Sequence, residues 1–143
     1  MKTLLAILLV SAMAVTAGAQ GLNPNVYAYI SFDPAGDETQ TQIAGTPYTT
    51  VSAYVCLGMV EGGITTISFM LNDPTIQCPG VMATKAFVPL LPGGLTIGDA
   101  FVAPGITCAS TECMTGVVVI GRIDCFYLGG DCCFEVLDHV EYQ

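Results

Sequence analysis

Apolar side chains recur at every second position over several separate stretches of this chain. No stretch beyond its first nineteen residues carries the three-and-four spacing of a capped helix. That pattern restricts the fold more than any other feature. Val26 to Asp33 sets Val26, Ala28, Ile30 and Phe32 on one face and Tyr27, Tyr29 and Ser31 on the other. Tyr48 to Met59 repeats it, with Val51, Ala53, Val55 and Leu57 opposed to Thr50, Ser52 and Tyr54. Glu61-Gly62-Gly63 reads as a turn, and Ile64 to Leu71 as the next strand, ended by Asn72-Asp73-Pro74 because proline cannot donate to a ladder. Further strands are predicted over Val81 to Val88, Leu95 to Ala103, Met114 to Ile123, Cys125 to Leu128 and Cys133 to Val140. The β-branched run Val117 to Ile120 predicts a central strand buried on both faces. Short strands punctuated by Gly and Pro predict an all-β, single-domain antiparallel β-sandwich, jelly-roll or immunoglobulin-like, of 7–9 strands.

The exception to the pattern is the first segment. Lys2 precedes an apolar run, Leu4 to Val10, which continues to Val15, and Ala17-Gly18-Ala19 has the small-residue form of a cleavage site. A spanning helix needs roughly 20 apolar residues, and this run is shorter. Met1 to Ala19 is therefore expected to be a signal peptide, and Gln20 to Gln143 one domain that is secreted, or periplasmic, with no membrane span of its own.

Export decides how the seven cysteines are read. In an oxidising compartment they are disulfide candidates before they are zinc ligands. Cys78, Cys108, Cys113, Cys125, Cys132 and Cys133 are the bridging candidates, with Cys56 the expected spare. Proximity favours Cys108 with Cys113. Adjacent Cys132 and Cys133 are expected to serve different partners. An odd count leaves room for a covalent dimer. Spacing alone chooses no connectivity.

Charge narrows the partners. Charged residues make up only 10% of the chain, so Thr, Ser, Gly and Gln must supply much of the surface. After cleavage Lys85 and Arg122 face 12 acidic residues, a net charge of −10. Such a surface repels nucleic-acid phosphates and anionic membranes, which leaves a protein or a polysaccharide as the expected partner.

One arrangement points further. A strand ending in Phe32-Asp33-Pro34-Ala35-Gly36 is followed by the long strand Tyr48 to Met59, then Ile67-Ser68-Phe69 and a late Val-rich strand. Across most of Val26 to Val140 this resembles small secreted bacterial proteins with cohesin-like or carbohydrate-binding-like sandwiches. The resemblance implies an extracellular binding or scaffolding role and brings no catalytic residues with it.

Candidate sites follow from residue type. His139 is the chain's one histidine, and alternation puts it with Glu135 and Glu141 on a wet face, away from any cleft a catalytic base would need. A hydrolase working with two carboxylates stays open, although no two acids are placed together by the sequence. Asp33, Asp37 and Glu38 gather three carboxylates in one turn. This is either a structural calcium site or a solvated turn shaped by Asp and Gly. If the first two strands are neighbours, Tyr27, Tyr29 and Tyr54 share an outer face. That face is either a platform for sugar rings or a cover for the sheet under a loop. The expected function is a non-catalytic binding or interaction module, with carbohydrate binding through the tyrosines and a small hydrolase as alternatives.

Overall fold

The computed structural model describes residues 25–42 and 45–137; the expected signal, His139 and Glu141 lie outside them. The fold is mostly antiparallel β-sheet, in the order β1 (Tyr27–Ser31), β2 (Thr49–Leu71), a short helix α1 (Pro74–Gln77), β3 (Met82–Pro89), β4 (Leu95–Gly98), β5 (Ile106–Tyr127) and β6 (Val136–Leu137). Among the described residues there is one sheet of six strands, where a two-sheet sandwich of 7–9 strands in all was expected.

The count differs because two strands are very long. β2 covers 23 residues and β5 covers 22, and they pair with each other along most of their length. The first half of β2 lies between β1 and the second half of β5, which in turn carries β3. The second half of β2 lies between β6 and the first half of β5, which carries β4. The expected turn at Glu61-Gly62-Gly63 is instead a run of register shifts inside β2, between Val55 and Thr66. Met59 (φ 57°), Gly63 (φ 79°) and Gly116 (φ 78°) take left-handed backbone there, so the ladder kinks without ending.

This kink folds the sheet over. Phe69 pairs in register with Ile106, and Phe87 with Ile123. Ile106 and Ile123 are 17 positions apart on β5, which in a straight strand would be about 55 Å. Yet the rings of Phe69 and Phe87 meet edge to face at 5.7 Å. The two halves therefore enclose one core, containing Ala53, Val55 and Leu57 from one half and Phe69, Leu71 and Ile106 from the other. The alternation of Val51, Ala53, Val55 and Leu57 points inward as the pattern predicts.

The Val117 to Ile120 run is central, but only one of its faces is fully buried. Val118 and Ile120 are in the core, whereas Val117 is 49% exposed and Val119 half-buried. Gly121 sits in this strand where the ring of Phe87 presses onto the backbone; an added Cβ would lie 2.2 Å from Phe87 Cζ.

Both described basic side chains are held by aspartates. Lys85 pairs with Asp73, and its Nζ lies 5.2 Å from the centre of the Phe101 ring. Arg122 Nη2 donates to Asp124 Oδ2 at 2.9 Å, and Ser52 Oγ donates to Asp124 Oδ1 at 2.6 Å. Partial burial works against the charge on Asp124. The hydroxyl and guanidinium outweigh it and hold the carboxyl below its ordinary value. A carboxyl depressed on folding contributes stability that is present above its unfolded value and lost as pH falls through the folded one. Asp124→Asn is therefore expected to flatten the loss of stability below about pH 4, read by denaturant unfolding at a series of pH values.

Candidate functional site

α1 is built by its first residues. Asp73 caps it, its Oδ1 accepting from Thr75 N at 2.9 Å and Thr75 Oγ1 at 2.7 Å, and Pro74 occupies the first turn, where no N–H is needed. The helix ends at Cys78, whose N–H donates to Pro74 O. Cys78 is bridged to Cys132, 54 positions along the chain. The return segment after β5 is thereby fixed beside α1, assisted by Leu128 N donating to Val81 O at 2.7 Å and Tyr127 OH donating to Gly130 O at 2.8 Å.

A cleft of about 570 Å³ opens where this segment meets the sheet. Its apolar walls include Ile30, Phe32, Val51, Met82, Tyr127 and Phe134, and its polar groups include Thr41, Gln42, Gln77 and Asp131. Phe134 meets Phe32 edge to face at 6.1 Å, forming an aromatic wall. Phe134, Ile30 and Thr41 also line a second depression of about 380 Å³. Roughly 300–1,000 Å³ with mostly apolar lining and a few polar groups is the usual form of a small-molecule site. Among the described residues the larger cleft holds one carboxylate, Asp131, where two-carboxylate hydrolysis needs a pair. The sequence reading missed this cleft, since its walls come from residues spread between Ile30 and Phe134 that no local motif joins.

The other candidates come together at a different place. β1 and β2 are neighbours, and the register sets Tyr27 opposite Gly58, Tyr29 opposite Cys56 and Ser31 opposite Tyr54. Tyr27, Tyr29 and Tyr54 thus share one face, with the rings of Tyr27 and Tyr29 at 5.7 Å. The acidic turn folds onto that same face. Tyr29 OH donates to Gly36 O at 2.6 Å, Tyr27 OH donates to Glu38, and Ser31 Oγ donates to Asp37 O at 2.8 Å. Gly36 (φ 78°) lies so close that an added Cβ would be 2.9 Å from Val117 Cγ1 and 3.2 Å from Cys56 Sγ. Burial pushes the Tyr29 hydroxyl up to about 12 and the Cys56 thiol up to about 11.

The three carboxylates of the turn are engaged separately. Asp33 accepts from Ala35 N at 2.8 Å, Asp37 from both the backbone and hydroxyl of Thr39, and Glu38 from Tyr27. Those Thr39 bonds hold the Asp37 carboxyl below its ordinary value. Among the described residues no three His, Cys, Asp or Glu side chains are grouped to hold a metal ion.

Of the six bridging candidates, Cys78 and Cys132 are joined, and Cys108, Cys113, Cys125 and Cys133 are thiols. Cys108 and Cys113 do not bridge: Cys108 is in the core and Cys113 exposed, both as thiols. They lie five positions apart on β5, on either side of Ala109, and the register against β2 shifts over the irregular stretch Ala109 to Met114. Cys56 and Cys125 are buried thiols, and Cys133 is an exposed one. Burial pushes Cys108 and Cys125 up to about 11, as it does Cys56. Native protein is expected to take up iodoacetamide rapidly at Cys113 and Cys133, and at the other three thiols only after unfolding. Mass spectrometry of the adducts before and after denaturant checks this.

Comparison with known protein families, curated proteins and solved structures finds no match to this chain.

Proposed function

We propose that this chain is an exported, non-catalytic binding module, secreted or periplasmic, whose ligand enters the cleft beside the Cys78–Cys132 bridge. The observation that carries the reading is the cleft itself: an aromatic wall, Phe32 and Phe134, faces a few uncharged polar groups, and a covalent staple fixes one rim. The single acid in the described lining and the net charge of −9 disfavour anions. An uncharged amphipathic ligand fits, with an apolar ring against the phenylalanines and hydroxyl or amide edges toward Gln42, Gln77 and Thr41. A sugar residue of a polysaccharide has that chemistry. The folded sheet serves as the layered frame of the cohesin-like and carbohydrate-binding-like sandwiches that the sequence resembles.

The tyrosine face supports sugar binding less well, because the hydroxyls of Tyr27 and Tyr29 already hold the acidic turn. A calcium role for Asp33, Asp37 and Glu38 would require those local bonds to open. The exposed thiols Cys113 and Cys133 are the positions through which a covalent dimer would form.

Nile red, an uncharged apolar dye, and neutral oligosaccharides are the probes for a titration. Phe134→Ala is expected to weaken binding of the responsive probe by about tenfold or more, since removing a buried aromatic anchor costs over about 1.4 kcal/mol. Ile97→Ala, at an exposed position on β4, leaves it unchanged. Equal affinity in Phe134→Ala and the parent protein refutes the assignment.

A further inference from the structure

Three cysteines line the larger cleft: Cys78 and Cys132, joined in the bridge, and Cys133, an exposed thiol next in sequence to one of them. We propose that Cys133 exchanges with Cys132 for the bond to Cys78, giving the cleft two covalent forms. The exchange needs no outside reagent. Cys133 gives up its proton to water, and its thiolate attacks Sγ of Cys78. The Cys78–Cys133 bond forms as Cys78–Cys132 breaks, and Cys132 leaves as a thiolate that takes a proton back. Nothing is oxidised or reduced overall.

The exchange asks for at most a one-residue advance of the backbone. Cα atoms of Cys78 and Cys132 are 5.8 Å apart, and consecutive Cα atoms are about 3.8 Å apart. Cys133 Cα therefore lies within about 9.6 Å of that of Cys78, and a bridge tolerates roughly 7 Å, so an advance of no more than one residue brings it into range. The segment is built to allow it. Residues 131–135 belong to no strand, β6 pairs through Val136 and Leu137 among the described residues, and Gly129 (φ 121°) and Gly130 (φ 101°) precede it. Asn72 holds the present register, next to the pairing of Leu71 with Val136. Asn72 Nδ2 donates to Cys133 O at 2.8 Å, Asn72 Oδ1 accepts from Glu135 N at 2.6 Å, and the Asn72 backbone N–H donates to Glu135 O at 3.1 Å. A slide of one residue turns Phe134 away from Phe32, because side chains alternate in an extended segment, and the aromatic wall opens. That consequence for binding rests on the function proposed above; the exchange itself does not.

The test maps sulfur, not ligand. The protein is alkylated with N-ethylmaleimide at mildly acidic pH, and fragmentation between residues 132 and 133 reads which of them carries the adduct. In Cys132→Ser, Cys78 is expected to be bridged to Cys133; a Cys78 that takes up N-ethylmaleimide overturns the exchange. In otherwise unaltered protein, Asn72→Ala is expected to raise the ratio of adduct on Cys132 to adduct on Cys133 by about tenfold, for the loss of the two side-chain hydrogen bonds that reach the segment. An unchanged ratio overturns the role of Asn72 as the register clamp. If the sulfur map behaves as expected while Nile red and the oligosaccharides do not bind, the exchange stands and the binding function falls.

Discussion

Replacing Cys78 with serine is expected to remove about 4 kcal/mol of folding stability, the chain-entropy value for a bridge closing a 54-residue separation. Ordinary domains are stable by roughly 5–15 kcal/mol, so this loss removes about a quarter of the total or more. Among the described residues the bridge is the one covalent tie on the return segment, beside the Asn72 hydrogen bonds, the Phe32–Phe134 contact and the pairing of Val136 and Leu137. Denaturant unfolding of Cys78→Ser and the parent protein, under oxidising conditions, measures the difference. A shift under about 1 kcal/mol would mean that the segment is held by its packing and by Asn72, not by the sulfur.

Ile123→Ala is expected to cost about 4 kcal/mol, near the upper part of the range for a large-to-small change in a closed core. Ile123 has no exposed surface and stands on β5 between Ala53 of β2 and Phe87 of β3. Phe87 in turn meets Phe69 from the other half of the sheet, so the cavity would open at the point where the fold closes on itself. The matched control is Val117→Ala, expected to change stability by less than about 0.5 kcal/mol, since that side chain is half exposed. Comparable losses at the two positions would contradict the one-faced burial of β5.

How far the sequence led, and where it stopped, follows from the range of each signal. Alternation is local, so the inward face of Val51, Ala53, Val55 and Leu57 was legible, as was the shared face of Tyr27, Tyr29 and Tyr54. Gly62-Gly63 carried a correct signal of broken regularity. Whether such a break becomes a turn or a kink in a continuous strand depends on the partner, and β5 runs on past it. The unbroken run Val117 to Ile120 suggested two buried faces because it contains no polar residue to mark the outer one. Proximity along the chain misled for Cys108 and Cys113, because the irregular stretch between them leaves one thiol in the core and the other at the surface. Cys78 and Cys132 meet only because α1 and the return segment are neighbours in space, which no spacing encodes. The same holds for the cleft. That the Asp33–Glu38 turn lies on the tyrosine face depends on the hydroxyls of Tyr27 and Tyr29 reaching it, a tertiary fact joining two features that read as separate.

Amide NMR of isotope-labelled protein, titrated with whichever uncharged probe binds, tests the central assignment most directly. The largest shifts are expected at Ile30, Phe32, Thr41, Tyr127, Cys132 and Phe134. Shifts concentrated on Tyr27, Tyr29 and Tyr54, or on Leu95 and Ile97 at the far edge, would contradict it.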